Sequence, residues 1–163
     1  MTDEATPPAD AATDGASTTS VDLERVAYDE LCLYSLAHGG PEFIHQHVVD
    51  AFMVQHADTA TKPIGLTFGL VGLYLHVERR FTGKQVQRVH MALARGQRSW
   101  PSFPLPRDRG ELTASAVMQA PPGPARDQAI DAWCDSVWAA FRDCHAGVAA
   151  LLDGHPILGP LLR

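Results

Sequence analysis

The sequence predicts an all-α protein, an antiparallel up-and-down bundle of four or five helices with a proline-rich crossover before the last helix. Apolar residues recur at helical spacing in segments that Gly and Pro interrupt. Neither an alternating strand pattern nor a hairpin signal occurs between these segments. Because the connections between the first four segments are short, consecutive helices should lie antiparallel and adjacent.

Most predicted helices have a start or a stop signal. Ser20 is a suitable N-cap for the first helix. Pro41 and Pro63 suit the first position of a helix, whereas Gly96 and Gly154 suit the position after its last turn. The predicted helices cover about 20–38, 41–57, 63–81, 84–95 and 126–152, with a short helix from Thr113 to Gln119.

The length and composition indicate one domain. The chain has 163 residues, of which 45% are hydrophobic and 20% charged, enough for one core. Residues 1–20 contain acidic but no basic residues and few large apolar ones, so we expect a disordered acidic tail there. The helical-bundle domain then covers residues 21–163, and residues 97–125 form its proline-rich crossover loop with the short helix.

Several protein classes are disfavoured by the same numbers. The three cysteines show no CxxC spacing, which argues against a disulfide framework, and the chain begins without an apolar signal segment. We therefore expect a cytoplasmic protein. The most apolar run, residues 64–77, has 14 residues, whereas a membrane span needs about 20. A net charge of −6 argues against a protein that coats nucleic acid.

Histidines are concentrated in one part of the chain, since six of the eight lie between residues 38 and 90. One face of helix 3 combines small residues with a histidine, namely Gly65, Gly69, Gly72 and His76. One face of helix 2 is bulkier, with His45, Val49, Phe52 and His56. If these faces pack together in a hairpin, His45 lies level with His76. Folding helix 4 back about residues 82–83 brings His90 to that level too.

This histidine layer predicts a metal site. Three imidazoles with a carboxylate are a suitable ligand set for Zn²⁺ or Fe²⁺. We expect His45 or His47, His76 and His90 to bind a divalent transition metal, and Asp50 to orient His47 or act as a further ligand. An open position on such a metal would activate water or O₂ for hydrolytic or oxidative chemistry.

Three interpretations compete with the metal site. The histidines could form a structural polar layer that only hydrogen-bonds its neighbours. A metal-free site would use one neutral histidine as a general base, with Tyr34 or Cys32 nearby. A flat cofactor such as haem could lie against the glycines of helix 3, with His76 as its axial ligand. We expect the ligand of such a site to be a small molecule, and no motif in the sequence identifies which one.

A second feature is positive charge in residues 79–109, which hold eight basic residues and one acidic residue. This basic surface favours a non-enzymatic interaction module that docks an acidic protein partner. Alternatively, the basic surface is a solvated face that pairs with acidic residues of its own chain or of a neighbouring molecule. A homo-oligomer is compatible with this interpretation. Nucleic acid is not expected, because no known nucleic-acid-binding motif occurs.

Several short segments of the sequence carry a resemblance to a known family. They are residues 28–32, 43–51, 55–58, 62–65 and 86–88, Trp100-Pro101 with Phe103-Pro104, and residues 132–138. With these segments the chain resembles an uncharacterised bacterial family that is known only as a domain of unknown function, and the similarity covers residues 26–152, nearly all of the predicted ordered chain. The resemblance implies a small cytoplasmic helical protein, and it implies no activity and no catalytic residue.

Overall fold

The computed structural model describes residues 14–38, 40, 42–96, 99–155, 158–159 and 161–162, with the backbone alone for residues 14–19 and 21. Throughout these residues the protein is all-helical, as predicted, and no strand occurs in them. The helices are α1 (Asp14–Ala37), α2 (His45–Gln55), α3 (Pro63–Val77), α4 (Gly83–Gly96), α5 (Ala114–Met118), α6 (Pro124–Ala140) and α7 (His145–Asp153), with a 3₁₀ turn (Arg142–Cys144) between the last two.

Helix α1 begins at Asp14, so the predicted start at Ser20 is six residues too late. Residues 14–20 are therefore helical, whereas the rest of the expected disordered tail, residues 1–13, lies outside the described residues. Leu31 and Tyr34 are buried on the inner face of this helix.

Helix α2 begins at His45, and the predicted start at Pro41 falls on a residue outside the described ones. Phe43 explains the later start, because its φ of 51° is left-handed and cannot continue a right-handed helix. Helix α3 starts as predicted, with Lys62 at the N-cap and Pro63 in the first turn.

Helix α3 ends at Val77, four residues before the predicted end. Arg80 adopts a left-handed conformation with a φ of 56°, which ends the helical path. The backbone N–H groups of Arg80 and Phe81 donate to the carbonyl oxygens of His76 and Leu75, at 3.1 and 2.9 Å. The turn that follows is therefore longer than expected, and α4 pairs with α3 in a different register.

The glycine face of α3 packs against α2, as the sequence predicts. A Cβ atom at Gly69 would lie 2.5 Å from Val54, and one at Gly72 would overlap the carboxyl group of Asp50. The two backbones therefore approach closely at these positions, which explains why a helix interior carries residues that cost about 1 kcal/mol each relative to Ala.

The face of α2 that was expected to meet these glycines packs against α1 instead. Phe52 stacks on Tyr28 with ring centroids 3.9 Å apart, and Nδ1 of His45 lies 2.9 Å from the hydroxyl of Ser35. The predicted pairing of His45 with His76 is therefore wrong. Helical spacing identified a packed face correctly, but it did not identify which neighbour covers that face.

The proline-rich crossover is held to the bundle by polar contacts. The guanidinium of Arg109 donates to the carbonyl oxygen of Ala57, and the Gln55 amide donates to that of Leu112 at 2.7 Å. The hydroxyl of Thr113 caps α5 by accepting from the backbone N–H three residues later, at 3.4 Å, and α5 lies within the predicted short helix from Thr113 to Gln119.

The predicted single last helix, residues 126–152, is wrong because the chain breaks it into α6, the 3₁₀ turn and α7. Phe141 leaves the helical conformation with φ −92° and ψ 27°, and its ring is buried. This bend allows both α6 and α7 to contact α3. Helical spacing in the sequence predicts a core stripe in this region, made of Trp133, Val137, Phe141, Cys144, Val148 and Leu151. The first five are buried, which confirms them as core, and Leu151 is half-buried.

Helices α2 and α3 lie at the centre of the contacts. Helix α2 contacts α1, α3, α4 and α6, and α3 also contacts α4, α6 and α7. Cys32, Cys134 and Cys144 are unpaired. In the part of the chain that the structure describes, no helix is both long and apolar enough to cross a membrane.

Candidate functional site

A cavity of about 400 Å³ lies where the end of α1, the start of α2, the end of α3 and the first half of α6 meet. Its volume is in the range of small-molecule sites. Its lining residues are His38, Gly40, Glu42, Phe43, Ile44, His47, His76, Arg80, Phe81, Asp127 and Asp131. Three imidazoles and three carboxylates thus share one cavity with a single guanidinium and several apolar side chains.

Unusual backbone conformations surround this cavity. Two non-glycine residues with left-handed φ occur in the described chain, Phe43 and Arg80, and both line the cavity. Each such conformation costs on the order of 1–3 kcal/mol and persists where the surrounding structure imposes it. Gly83 packs against the chain at Phe43. Its N–H donates to the carbonyl oxygen of Glu42 at 2.6 Å, and a Cβ atom at Gly83 would overlap the Phe43 carbonyl. This close contact helps to impose the left-handed conformation of Phe43.

His47 and His76 form a stacked pair at the cavity. Their ring centroids are 3.7 Å apart and their planes are inclined by 22°. His47 is 4% exposed, and burial followed by the charge of His76 lowers the pKa of His47 to about 3. At neutral pH, His47 is therefore a neutral ring, and its Nδ1 atom is buried without a hydrogen-bond partner.

Asp131 orients the other ring of the pair. Nε2 of His76 lies 3.0 Å from Oδ1 of Asp131, which is on α6. When His76 is neutral, this hydrogen bond favours the proton on Nε2 and leaves Nδ1 as the basic nitrogen. The His76 side chain is 15% exposed, so it is shielded from solvent and still borders the cavity.

The Asp50 side chain lies between α2 and α3, against Gly72. It is 3% exposed, its Oδ1 accepts from the amide of Gln46 at 3.0 Å, and its Oδ2 has no partner. Burial raises the pKa of Asp50 well above its usual value. The prediction that Asp50 orients His47 is wrong, because the unpaired atoms Oδ2 of Asp50 and Nδ1 of His47 make no hydrogen bond to each other.

His45 and His90 lie apart from the stacked pair. His45 bonds Ser35 at the contact with α1, and burial lowers its pKa. His90 contacts the Phe68 ring edge-on, with centroids 4.9 Å apart. Phe68 precedes His76 by eight residues, or about 12 Å along a helix, so the predicted placement of His90 level with His76 is wrong. The early end of α3 accounts for the shift.

The expected metal ligands do not form a metal site. Among the residues that the structure describes, no group of three His, Cys, Asp or Glu side chains is placed to hold an ion. The stacked rings of His47 and His76 also do not suit a shared ion, because a ligating nitrogen binds a metal in the plane of its own ring and these two planes are nearly parallel. The divalent metal therefore stays a prediction without a fitting ligand set.

The structure also bears on the expected haem site and on the expected metal-free site. The haem position is filled, because Val54 and Asp50 occupy the space beside Gly69 and Gly72. The Tyr34 hydroxyl donates to Oδ1 of Asp127 at 2.8 Å, so Tyr34 supports one of the cavity carboxylates.

Sequence reasoning missed Asp131 and Asp127. Both precede the Trp133 stripe on α6, at a spacing of four residues that places them on one side of that helix. That spacing was a usable signal for a shared face. The long crossover before α6, however, does not fix the register of α6 against α3, so their partner could not be predicted.

The comparisons with known proteins give a family and nothing narrower. No curated protein and no solved structure matches the chain. The model of a family of unknown function, DUF5946, matches residues 25–142, which is more than half of the chain. The resemblance noted in the sequence is thereby confirmed, and the chain belongs to the DUF5946 family of unknown function.

Proposed function

We propose that the cavity binds a small polar molecule and that His76, oriented by Asp131, exchanges a proton with it. The observation that carries this proposal is the 3.0 Å hydrogen bond between the two side chains at the border of a 400 Å³ cavity. An imidazole held by a carboxylate is a common general acid–base arrangement in enzymes. The proposal corresponds to the metal-free site expected from the sequence, with His76 in the role of the neutral base.

His47 would act as a fixed neutral wall in this proposal. Its ring covers one face of His76, so His76 has less freedom to rotate away from Asp131. Because burial keeps His47 neutral at pH 7, its ring places no charge beside His76. His47 is therefore a positioning residue for His76 rather than a second base.

The lining favours a ligand with a polar group and an apolar portion. Glu42, Asp127 and Asp131 offer carboxylates, and Arg80 offers a guanidinium. Phe43 and other apolar side chains complete the walls. Carboxylates outnumber the guanidinium, so a neutral or positively charged polar group is better accommodated than an anion.

The experiment uses 4-nitrophenyl acetate, a small ester whose hydrolysis reports a basic imidazole. We expect hydrolysis to fall about tenfold or more in His76→Gln and by a smaller factor in Asp131→Asn. His56→Gln is the matched control, because His56 is exposed and outside the cavity lining. A rate that is equal in the wild-type protein and His76→Gln contradicts the proposal, as does an equal loss in the control.

Two further proposals concern the order of the helices in the bundle and the location of the protein in the cell. We infer that the helices follow the antiparallel up-and-down order of a four- or five-helix bundle, which the contacts of α1 with α2, α2 with α3 and α3 with α4 support. We also keep the cytoplasmic location, which the three unpaired cysteines support.

A further inference from the structure

Helix α1 exposes an apolar and acidic stripe. Val26, Leu33 and Leu36 are 55%, 71% and 54% exposed, although large apolar side chains are usually covered. Asp22 and Asp29 are exposed as well, and Asp29 also forms a surface ion pair with Arg25 on the same helix, 3.1 Å long. These five residues follow the spacing i, i+4, i+7, i+11 and i+14, which places them along one line on the outer face of the helix.

Helix α4 exposes a basic stripe of the same spacing. Lys84, Arg88, Met91 and Arg95 follow the order i, i+4, i+7 and i+11, and all four are exposed. Met91 is 54% exposed. The helix contains no acidic residue, and among the described residues none of its cations forms an ion pair.

The two stripes are complementary when the helices run antiparallel. With Val26 opposite Met91, Asp29 faces Arg88 and Asp22 faces Arg95. The same register sets Leu33 opposite Lys84, whose aliphatic stem can cover it. Two pairs of opposite charge and two apolar contacts thus coincide in a single register.

We propose that α1 of one copy of this protein packs antiparallel against α4 of a second copy. Pairing of α1 with another α1 is less favourable, since the charges of the stripe are the acids Asp22 and Asp29, which repel their copies, and the base beside them, Arg25, already pairs with Asp29 on the same helix. The composition of residues 1–13 does not complement the α1 stripe, because these residues include Met1 as the one large apolar residue and no basic residue.

The contact joins two different faces, so each copy offers one of each. Such a contact either closes reciprocally into a dimer or continues into a longer assembly. In both cases the measured mass rises with protein concentration. Opposite charges at the edge of an interface mainly add attraction that salt weakens, so association should weaken with added salt.

The experiment measures the weight-average mass by sedimentation velocity over a wide range of protein concentration, at about 0.05 and 0.5 M NaCl. One variant reverses the acids of α1 (Asp22→Arg with Asp29→Arg), and the other reverses the bases of α4 (Arg88→Asp with Arg95→Asp). The matched control is Asp143→Arg with Asp153→Arg, which reverses two exposed acids away from both stripes.

We expect the wild-type protein and the control to associate at low salt and to dissociate at high salt. Each reversed variant alone should associate at least about tenfold more weakly than the wild-type protein, because like charges then face each other. An equimolar mixture of the two variants should associate again, since every contact between unlike copies pairs opposite charges. Recovery in the mixture also shows that both variants are folded.

Three results would overturn the inference. They are a wild-type protein that stays monomeric at all concentrations, a reversed variant that associates as strongly as the wild-type protein, and a mixture that remains monomeric. Neither the cavity nor the His76–Asp131 pair is altered by these substitutions, so this outcome is independent of the proposed function.

Discussion

Replacing Gly72 with Ala tests the close approach of α2 and α3 that positions the stacked histidines. The new Cβ would overlap the carboxyl of Asp50 and stand 3.1 Å from its Cβ. Overpacking a buried site costs about 1–3 kcal/mol. Displacing the carboxyl also weakens the hydrogen bond that it accepts from the Gln46 amide, which contributes about 1 kcal/mol. Alanine returns about 1 kcal/mol of helix propensity. We therefore expect Gly72→Ala to lower the free energy of unfolding by about 2 kcal/mol.

Urea unfolding gives that free energy, and a matched control is available on the same helix. A Cβ at Gly65 would lie 3.8 Å from Met53, an ordinary contact, so Gly65→Ala should stabilise the protein by up to about 1 kcal/mol. In an Asp50→Ala background the overlap with the carboxyl is gone and only the 3.1 Å contact with the Cβ of residue 50 remains, so Gly72→Ala should cost less there than in the wild-type protein. If Gly72→Ala stabilises the wild-type protein as much as Gly65→Ala does, the reasoning about this helix contact is refuted.

Two further predictions concern a buried histidine and a tyrosine between helices. Burial lowers the pKa of His90 to about 4, below the value of about 6.5 in an unfolded chain, so the fold loses stability as the pH falls from 6.5 towards 4. His90→Phe should reduce that loss by on the order of 3 kcal/mol, measured by urea unfolding at several pH values; an unchanged pH dependence would contradict it. Tyr34→Phe removes the hydrogen bond that the hydroxyl donates to Asp127, 2.8 Å long, and the one that it accepts from the Gly123 N–H, 3.0 Å long. The free energy of unfolding, measured by thermal unfolding, should fall by about 1–2 kcal/mol. A variant as stable as the wild-type protein would show that these bonds contribute nothing.

The fold class was predictable because helix signals and the absence of strand signals agree along the chain. Pro63 after Lys62, the cap at Thr113 and the apolar stripe of α6 all lie where the sequence places them. The helix ends were less predictable, because Phe43 and Arg80 adopt left-handed conformations without being glycine. Tertiary packing imposes those conformations, and no local pattern announces them.

The candidate site was predictable in part. The sequence predicted His76 together with His45 or His47, and the glycine face of α3 explains how α2 and α3 come close enough for the rings of His47 and His76 to stack. His90 was misplaced because a helix that ends four residues early moves its antiparallel partner by about two turns. Asp131 could not be assigned to His76, since the crossover leaves the register of α6 undetermined until side chains pack.

The central claim is that His47 and His76 stack at the cavity and that Asp131 orients His76. The most direct measurement is a nuclear Overhauser spectrum of the histidine ring protons. With centroids 3.7 Å apart, we predict a strong cross-peak between the two rings, which persists from pH 7 to pH 5 while His47 stays neutral. Absence of that cross-peak, or a His47 ring that takes up a proton near pH 6.5, would contradict the account.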